Sequence, residues 1–290
     1  MKNTLQQGAL LATFAGIFWG TTGTAQALLP AGAEPFSVGA VRIMIGSMGF
    51  FLLLWLMGTF RQPVKWMPKE ILIAAIGAAG FQIGFFSGLP RTGVAIGTIV
   101  AIGVAPIVAG LLGRIFYNEK LTRKWMIVTA LAISGCVLIT FTGAEIQMDF
   151  GGILLAMMGG SFYALCGLGV KGMTKSRSLL PNIAAMLLLA AIFLTLINWG
   201  GDYSWVFGWP GFGLALYLGL IATIVPYWLF ALALKYIPIA KTYTFSLTEP
   251  VVGFLLGVFL LNEVIHGAGM AGVAILMCGL IWLALPDRKK

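Results

Sequence analysis

Apolar runs of roughly 18 to 24 residues recur along this chain, each long enough as a helix to cross ~30 Å of hydrocarbon. They fall near 8–29, 36–58, 70–89, 93–116 and 125–142, then near 152–171, 180–199, 211–234, 238–261 and 268–285. Lipid supplies no hydrogen bonds, so backbone inside it must satisfy itself within helices or a closed barrel. Barrel strands would alternate apolar and polar residues over about ten positions; these runs do not. Composition agrees, because 60% hydrophobic and only 9% charged residues leave too little polar surface for a soluble domain. The expected fold is all-α, with ten transmembrane helices.

The first run is expected to stay in the protein. Ala31-Gly32-Ala33 resembles a signal-peptidase site, but 8–29 exceeds the usual apolar leader core of about 7 to 15 residues. It also has a counterpart later in the chain. GALLATFAGIFW (8–19) falls on GILLAMMGGSFY (152–163), and PIVAGLLGRIFYNEK (106–120) returns as PVVGFLLGVFLLNEV (250–264). One displacement of 144 positions makes both matches without a gap, and carries Gly113, Asn118, Glu119 and Gly135 onto Gly257, Asn262, Glu263 and Gly279. Such a repeat is the architecture itself: residues 1–144 form one five-helix half and 145–290 the other. Five is odd, so the second half must enter the membrane from the opposite side, and Glu119 and Glu263 end on opposite faces. Inverted repeats are the geometry of alternating access around a site near the bilayer midplane.

Lys and Arg set the expected orientation. With the N-terminus in the cytoplasm, 16 of the 18 basic residues lie on the inner side, from Lys2, Arg61, Lys65 and Lys69 to Arg288, Lys289 and Lys290. The outer loops carry Glu34, Glu145, Asp149, Asp202 and Glu263, with Arg91 their only base. The net charge of +9 is thus a topology signal, not a nucleic-acid surface. The localisation expected is a bacterial inner membrane, multi-pass, with both termini cytoplasmic. Trp55, Trp66, Trp125 and Trp282 are expected at the inner interface, and Trp199, Trp205 and Trp209 at the outer.

Each half ends in a small-residue helix with proline, then Asn-Glu, a short loop and a Gly-containing last helix; Thr248-Glu249-Pro250 through Asn262-Glu263 is the most specific stretch. In this the whole chain resembles the EamA family of the drug/metabolite transporter superfamily, and within it most closely the YddG-type bacterial amino-acid exporters. The resemblance implies an inner-membrane exporter of amino acids or related metabolites. Ala105 stands where Glu249 does in the other half, so any role of that acid belongs to one half alone.

The residues argue against other classes. There is one histidine, His266, with no HExxH or GxGD, and aspartate occurs only in loops, at positions 149, 202 and 287. An enzyme is therefore not expected, and no metal or other cofactor. Cys136, Cys166 and Cys278 read as apolar fillers within helices. No GxxxxGK[ST] nucleotide loop is present, and neither a filter loop nor rings of charge suggest a channel.

Small residues line single faces, Gly16, Gly20, Gly23 and Ala27 on the first predicted helix and Pro250, Gly253 and Gly257 on the ninth, a pattern that lets backbones approach closely in lipid. Pro106, Pro226 and Pro250 lie well inside spans and mark candidate hinges or fixed kinks. Trp19 lies mid-span with Thr22 and Gln26 on its face, and Trp228 lies deep beside Tyr227; both are expected on a cavity wall. Further candidates for substrate contact are Gln82, Phe86, Thr98, Tyr163, Ser246 and Glu249, within a set of intramembrane polar residues that also includes Ser161 and Thr242. Arg42, about two turns from the outer end, is either a charge partner in the site or a group that snorkels to lipid phosphate. Glu249 is the only carboxylate at midspan depth. It could carry a proton, face a substrate cation, or hydrogen-bond a neighbouring helix where Pro250 frees backbone carbonyls.

Aromatic walls with few charges suit an amino acid, whose carboxylate takes hydroxyl, amide or helix-end donors while its ammonium rests on ring faces. The reading is an exporter of amino acids or related small metabolites, aromatic or other hydrophobic amino acids among them, working by alternating access without ATP. Its partners are that small-molecule substrate and the lipid bilayer, with no nucleic acid; oligomeric state is left open. The alternative is a broad exporter of hydrophobic cations, with the same rings and Glu249 serving a different ligand.

Overall fold

The computed structural model describes residues 2–140, 149–261 and 267–285. Glu145, Asn262, Glu263, His266, Asp287, Arg288, Lys289 and Lys290 lie outside the described residues. Everything long in it is helix. We label the helices α1 (Lys2–Ala27), α2 (Pro35–Leu56), α3 (Pro68–Gly93), α4 (Ile96–Tyr117), α5 (Arg123–Thr140), α6 (Phe150–Met173), α7 (Leu179–Ile197), α8 (Trp209–Tyr236), α9 (Ile239–Leu260) and α10 (Gly267–Ala284). Among the described residues, α2 to α10 are each long and apolar enough to cross a membrane. The tenth, α1, opens on the polar segment Lys2–Gln7, which dilutes an otherwise apolar helix.

Packing follows the repeat. α3 lies along α6, and the pair that the displacement of 144 relates to it, α8 and α1, also pack together; α2 meets its own counterpart α7, and α5 meets α10. Every one of these contacts survives exchange of the halves, as a pseudo-twofold axis requires. Glycine permits the closest. A Cβ on Gly84 of α3 would stand 2.6 Å from the Gly159 amide nitrogen and 2.8 Å from the Leu155 carbonyl of α6, and one on Gly159 would stand 2.8 Å from the Phe85 nitrogen. Backbone therefore touches backbone, which replaces the hydrophobic drive that lipid cannot provide between helices. The small-residue face of α1 works likewise, since a Cβ on Gly20 would meet the Glu249 carbonyl of α9 at 2.6 Å. Gly23 has nothing within 4 Å, because there the face opens onto a cavity.

Regular helix gives way at three places, at Gly93, which the sequence left unmarked, and beside Pro226 and Pro250, which it marked. α3 and α4 join almost without a loop, the helix being interrupted at Gly93, whose φ of 76° and ψ of 159° suit a residue without a Cβ. In α8, Tyr217–Ile224 widens into a π-helix directly before Val225-Pro226. α9 is divided at Leu247, with ψ near 1°, into Ile239–Ser246 and Thr248–Leu260. Pro250 has no N–H to offer the carbonyl four residues earlier. Around it, Thr242, Thr244, Ser246 and Thr248 donate their hydroxyls to the carbonyls of Pro238, Ala240, Tyr243 and Phe245 at 2.9–3.2 Å, competing with the helix ladder. Pro106, by contrast, lies in α4 with no further interruption marked there.

Two tryptophans expected at the interfaces are buried. Trp125 donates its indole N–H to Thr244 Oγ1 at 3.0 Å, and Trp205 donates to Ser37 Oγ at 2.9 Å. Each bonds a hydroxyl on a neighbouring helix and so turns into the protein at the end of the bundle where it lies. Trp55, Trp66, Trp199, Trp209 and Trp282 are exposed. Cys136 and Cys166 are buried, whereas Cys278 is on the exposed face of α10 rather than filling a gap.

Candidate functional site

A cavity of about 420 Å³ opens between the two halves. Its walls come from the C-terminal half of α1 (Trp19, Thr22, Gln26), the N-terminal half of α2 (Pro35, Arg42, Ile43), the C-terminal half of α3 (Ala78 to Leu89) and the first turns of α4 (Thr98, Ala101, Ile102), closed by Tyr163, Tyr227 and Glu249 from the second half. It therefore occupies the part of the bundle toward the α1–α2 turn and the Gly93 break.

Helical spacing puts the residues there. Trp19, Thr22 and Gln26 are three and seven positions apart and share a face. On α3, Ala78, Gln82, Phe85, Phe86 and Leu89 make a broad stripe of the same kind, and Phe81 joins it one turn before Phe85. Rings pack into a continuous wall: Trp19 meets Tyr227 edge-on with centroids 5.5 Å apart, Tyr163 edge-on at 5.9 Å and Phe230 at 5.3 Å. Phe81 bridges Tyr163 at 5.2 Å and Phe85 at 5.4 Å. Behind them Tyr243 lies edge-on to Tyr163 at 4.8 Å, donates its hydroxyl to the Tyr163 carbonyl, and accepts the Gly167 N–H at 3.1 Å.

Of the residues singled out in the sequence, Trp19, Thr22, Gln26, Arg42, Gln82, Phe86, Thr98, Tyr163, Tyr227 and Glu249 line this one cavity. Trp228 and Ser246 do not. Trp228 follows Tyr227 by one residue, about 100° around the helix, and packs toward Phe50 at 6.4 Å. Ser246 is buried and donates to the Tyr243 carbonyl at 2.9 Å. Sequence reasoning passed over Phe81 and Phe85; their i, i+4 spacing beside Gln82 was the available signal. Arg42 does not snorkel outward. It lines the cavity, with its Nε buried and without a hydrogen-bond partner. Thr22 Oγ1 and Gln82 Nε2 are buried and unpartnered in the same way. Nor does Glu249 bond a neighbouring helix: among the described residues, neither it nor Arg42 makes a hydrogen bond or an ion pair, although their charges lie near enough to interact.

The opposite end is tied by a different charged group. Glu119 follows α4 after the left-handed cap Asn118 (φ 53°), and its Oε2 accepts the Ile239 N–H at 2.8 Å, where α9 begins. Its other oxygen lies 3.6 Å from Lys171 Nζ, which also donates to the Leu234 and Ile237 carbonyls at 2.6 and 3.0 Å. One acid thus joins α4, the end of α6 and the α8–α9 turn, and so both halves. Burial pushes the Glu119 carboxyl above the usual carboxylate range, against the opposing pull of Lys171 and the backbone amides.

Comparison with known proteins agrees with this architecture. The sequence profile of the EamA-like transporter family matches residues 6–141 and again 150–285. The chain is 36% identical over 282 residues to an uncharacterized transporter, YwfM, of Bacillus subtilis (strain 168), covering 97% of this chain and 95% of that one. A second Bacillus subtilis protein, the uncharacterized transporter YdfC, is 21% identical over 271 residues, covering 89% and 84% of the two chains. A solved crystal structure superimposes with a TM-score of 0.83 at 18% identity over 96% of this chain and 98% of the other, a likeness of fold.

Proposed function

Because the chain belongs to the EamA-like transporter family, as a multi-pass membrane protein with two repeated halves, we propose that it exports amino acids or related small metabolites by alternating access. Hydrophobic and aromatic amino acids fit the walls best. The observation that carries the reading is the pairing, in one aromatic cavity between the halves, of what is among the described residues a single base, Arg42, and a single acid, Glu249, neither in an ion pair. Pockets of this size that bury a ligand are mostly apolar, with a few placed polar groups. A zwitterion matches that inventory.

In this proposal the protein lies in a bacterial inner membrane with its termini cytoplasmic, so that the cavity occupies the outer half while Tyr243 and the Glu119–Lys171 pair seal the inner. Halves 1–144 and 145–290 rock against each other, with the Gly93 break and the interruptions near Pro226 and Pro250 as flexing points. The reading as an exporter of hydrophobic cations draws on the rings and Glu249, but Arg42 in the same cavity opposes a lone cation. Cells expressing the protein should lower their content of some members of an amino-acid panel, and proteoliposomes should take them up. Resistance to a cationic dye such as ethidium, without amino-acid efflux, would favour the cation reading instead.

A further inference from the structure

We propose that the cavity reads a zwitterion lengthwise across the two halves, the carboxylate on Thr22, Arg42 and Gln82 and the ammonium on Glu249. This rests on the reading of the chain as an amino-acid exporter and adds which charge each half holds. Buried polar atoms in folded proteins almost always have partners. Among the described residues three lack them, Thr22 Oγ1, Arg42 Nε and Gln82 Nε2, and the side chains that carry them all line the same cavity. Each can donate a hydrogen. They come from α1, α2 and α3, all in the first half.

A Cβ on Gly39 of α2 would collide with the Gln82 amide nitrogen, so glycine there leaves the amide room to rest against α2. A convergent guanidinium, amide and hydroxyl make a carboxylate site, with the guanidinium N–H giving the charge-assisted bond. Among the described residues the one acid in the cavity, Glu249, comes from α9 in the second half. Trp19, Tyr163 and Tyr227 supply ring faces nearby for an ammonium. A ligand with one charge leaves the opposite buried charge unpaired, so the site rejects it by more than the lost contact. Only a zwitterion pairs the charge of each half at once, which links occupancy to their relative movement.

The test uses the purified full-length protein and three ligands sharing one ring: L-phenylalanine, phenethylamine, which lacks the carboxylate, and 3-phenylpropionate, which lacks the ammonium. Calorimetric titration should show phenylalanine binding at least about tenfold tighter than either analogue. Arg42→Gln should remove the penalty on phenethylamine alone, and Glu249→Gln the penalty on 3-phenylpropionate alone. If the wild type binds phenylalanine but takes one analogue within twofold, the lengthwise assignment is wrong and the amino-acid reading stands. If phenylalanine, leucine, methionine and threonine all fail to bind or to be transported, the amino-acid reading falls and this one with it. Should a variant melt early and bind nothing, the wild-type ligand series still decides.

Discussion

Glu119 offers a case in which the hydrogen bond and the charge can be weighed separately. Glu119→Ala removes the acceptor for the Ile239 N–H and the partner of Lys171. Both side chains are largely buried, Glu119 with 10% of its surface exposed and Lys171 with 19%. Lys171 keeps two carbonyl acceptors, so it is not stranded. Ile239 has no substitute, and an orphaned buried donor costs about 1–3 kcal/mol. With the lost packing the total is about 2–4 kcal/mol. Glu119→Gln keeps an acceptor oxygen and gives up only the charge. Since burial already outweighs Lys171 and raises this carboxyl, a neutral group should cost at most about 1 kcal/mol. The sign is checked by pH. A carboxyl whose folded value lies above its unfolded value of about 4.3 contributes most below that value and loses its contribution as pH rises through the folded value. The wild type should therefore show this loss, and the glutamine variant should lack it. Thermal unfolding in detergent, read through dye labelling of the buried Cys136 and Cys166 at several pH values, measures all three proteins. The Ala variant should melt on the order of 5–10 °C lower. The reasoning fails if glutamine costs as much as alanine, or if alanine costs nothing.

Trp19→Ala should reduce transport at least about tenfold at equal membrane expression, for loss of the ring wall and its cation–π contribution, while Trp199→Ala at an exposed site stays within about twofold. Trp205 is no control for this comparison, because it is buried and bonded to Ser37. Gly84→Val should cost more than about 3 kcal/mol, seen as loss of folded protein in membranes, since its side chain meets α6 backbone that cannot yield. In a background without Cys136, Cys166 and Cys278, a cysteine at 202 should label from outside intact cells and one at 175 only after permeabilisation; equal labelling would overturn the proposed orientation. Glu249→Gln should weaken amino-acid binding itself; retained binding with loss of gradient-driven uptake would make Glu249 a proton carrier.

Much of this protein follows from one-dimensional facts. Length and apolarity of the runs determined ten helices, because a backbone in lipid has almost no other way to satisfy itself. The displacement of 144 determined which contacts come in related pairs. Periodicity placed Trp19, Thr22 and Gln26 on one face, and the scarcity of polar residues in the spans pointed to Arg42, Gln82 and Glu249. What the sequence could not decide is which of several faces turns inward. Tyr227 and Trp228 are equally aromatic neighbours, and only the packing of α8 on α1 turned the first to the cavity and the second toward Phe50. Trp125 and Trp205 turned inward to hydroxyls on helices more than a hundred residues away, a match that no local pattern contains. The same holds for Arg42: its depth in α2 was legible, but whether it met lipid phosphate or the cavity depended on what α1 and α3 left open beside it. Local chemistry sets what a helix can bury, and the meeting of helices sets what it does bury.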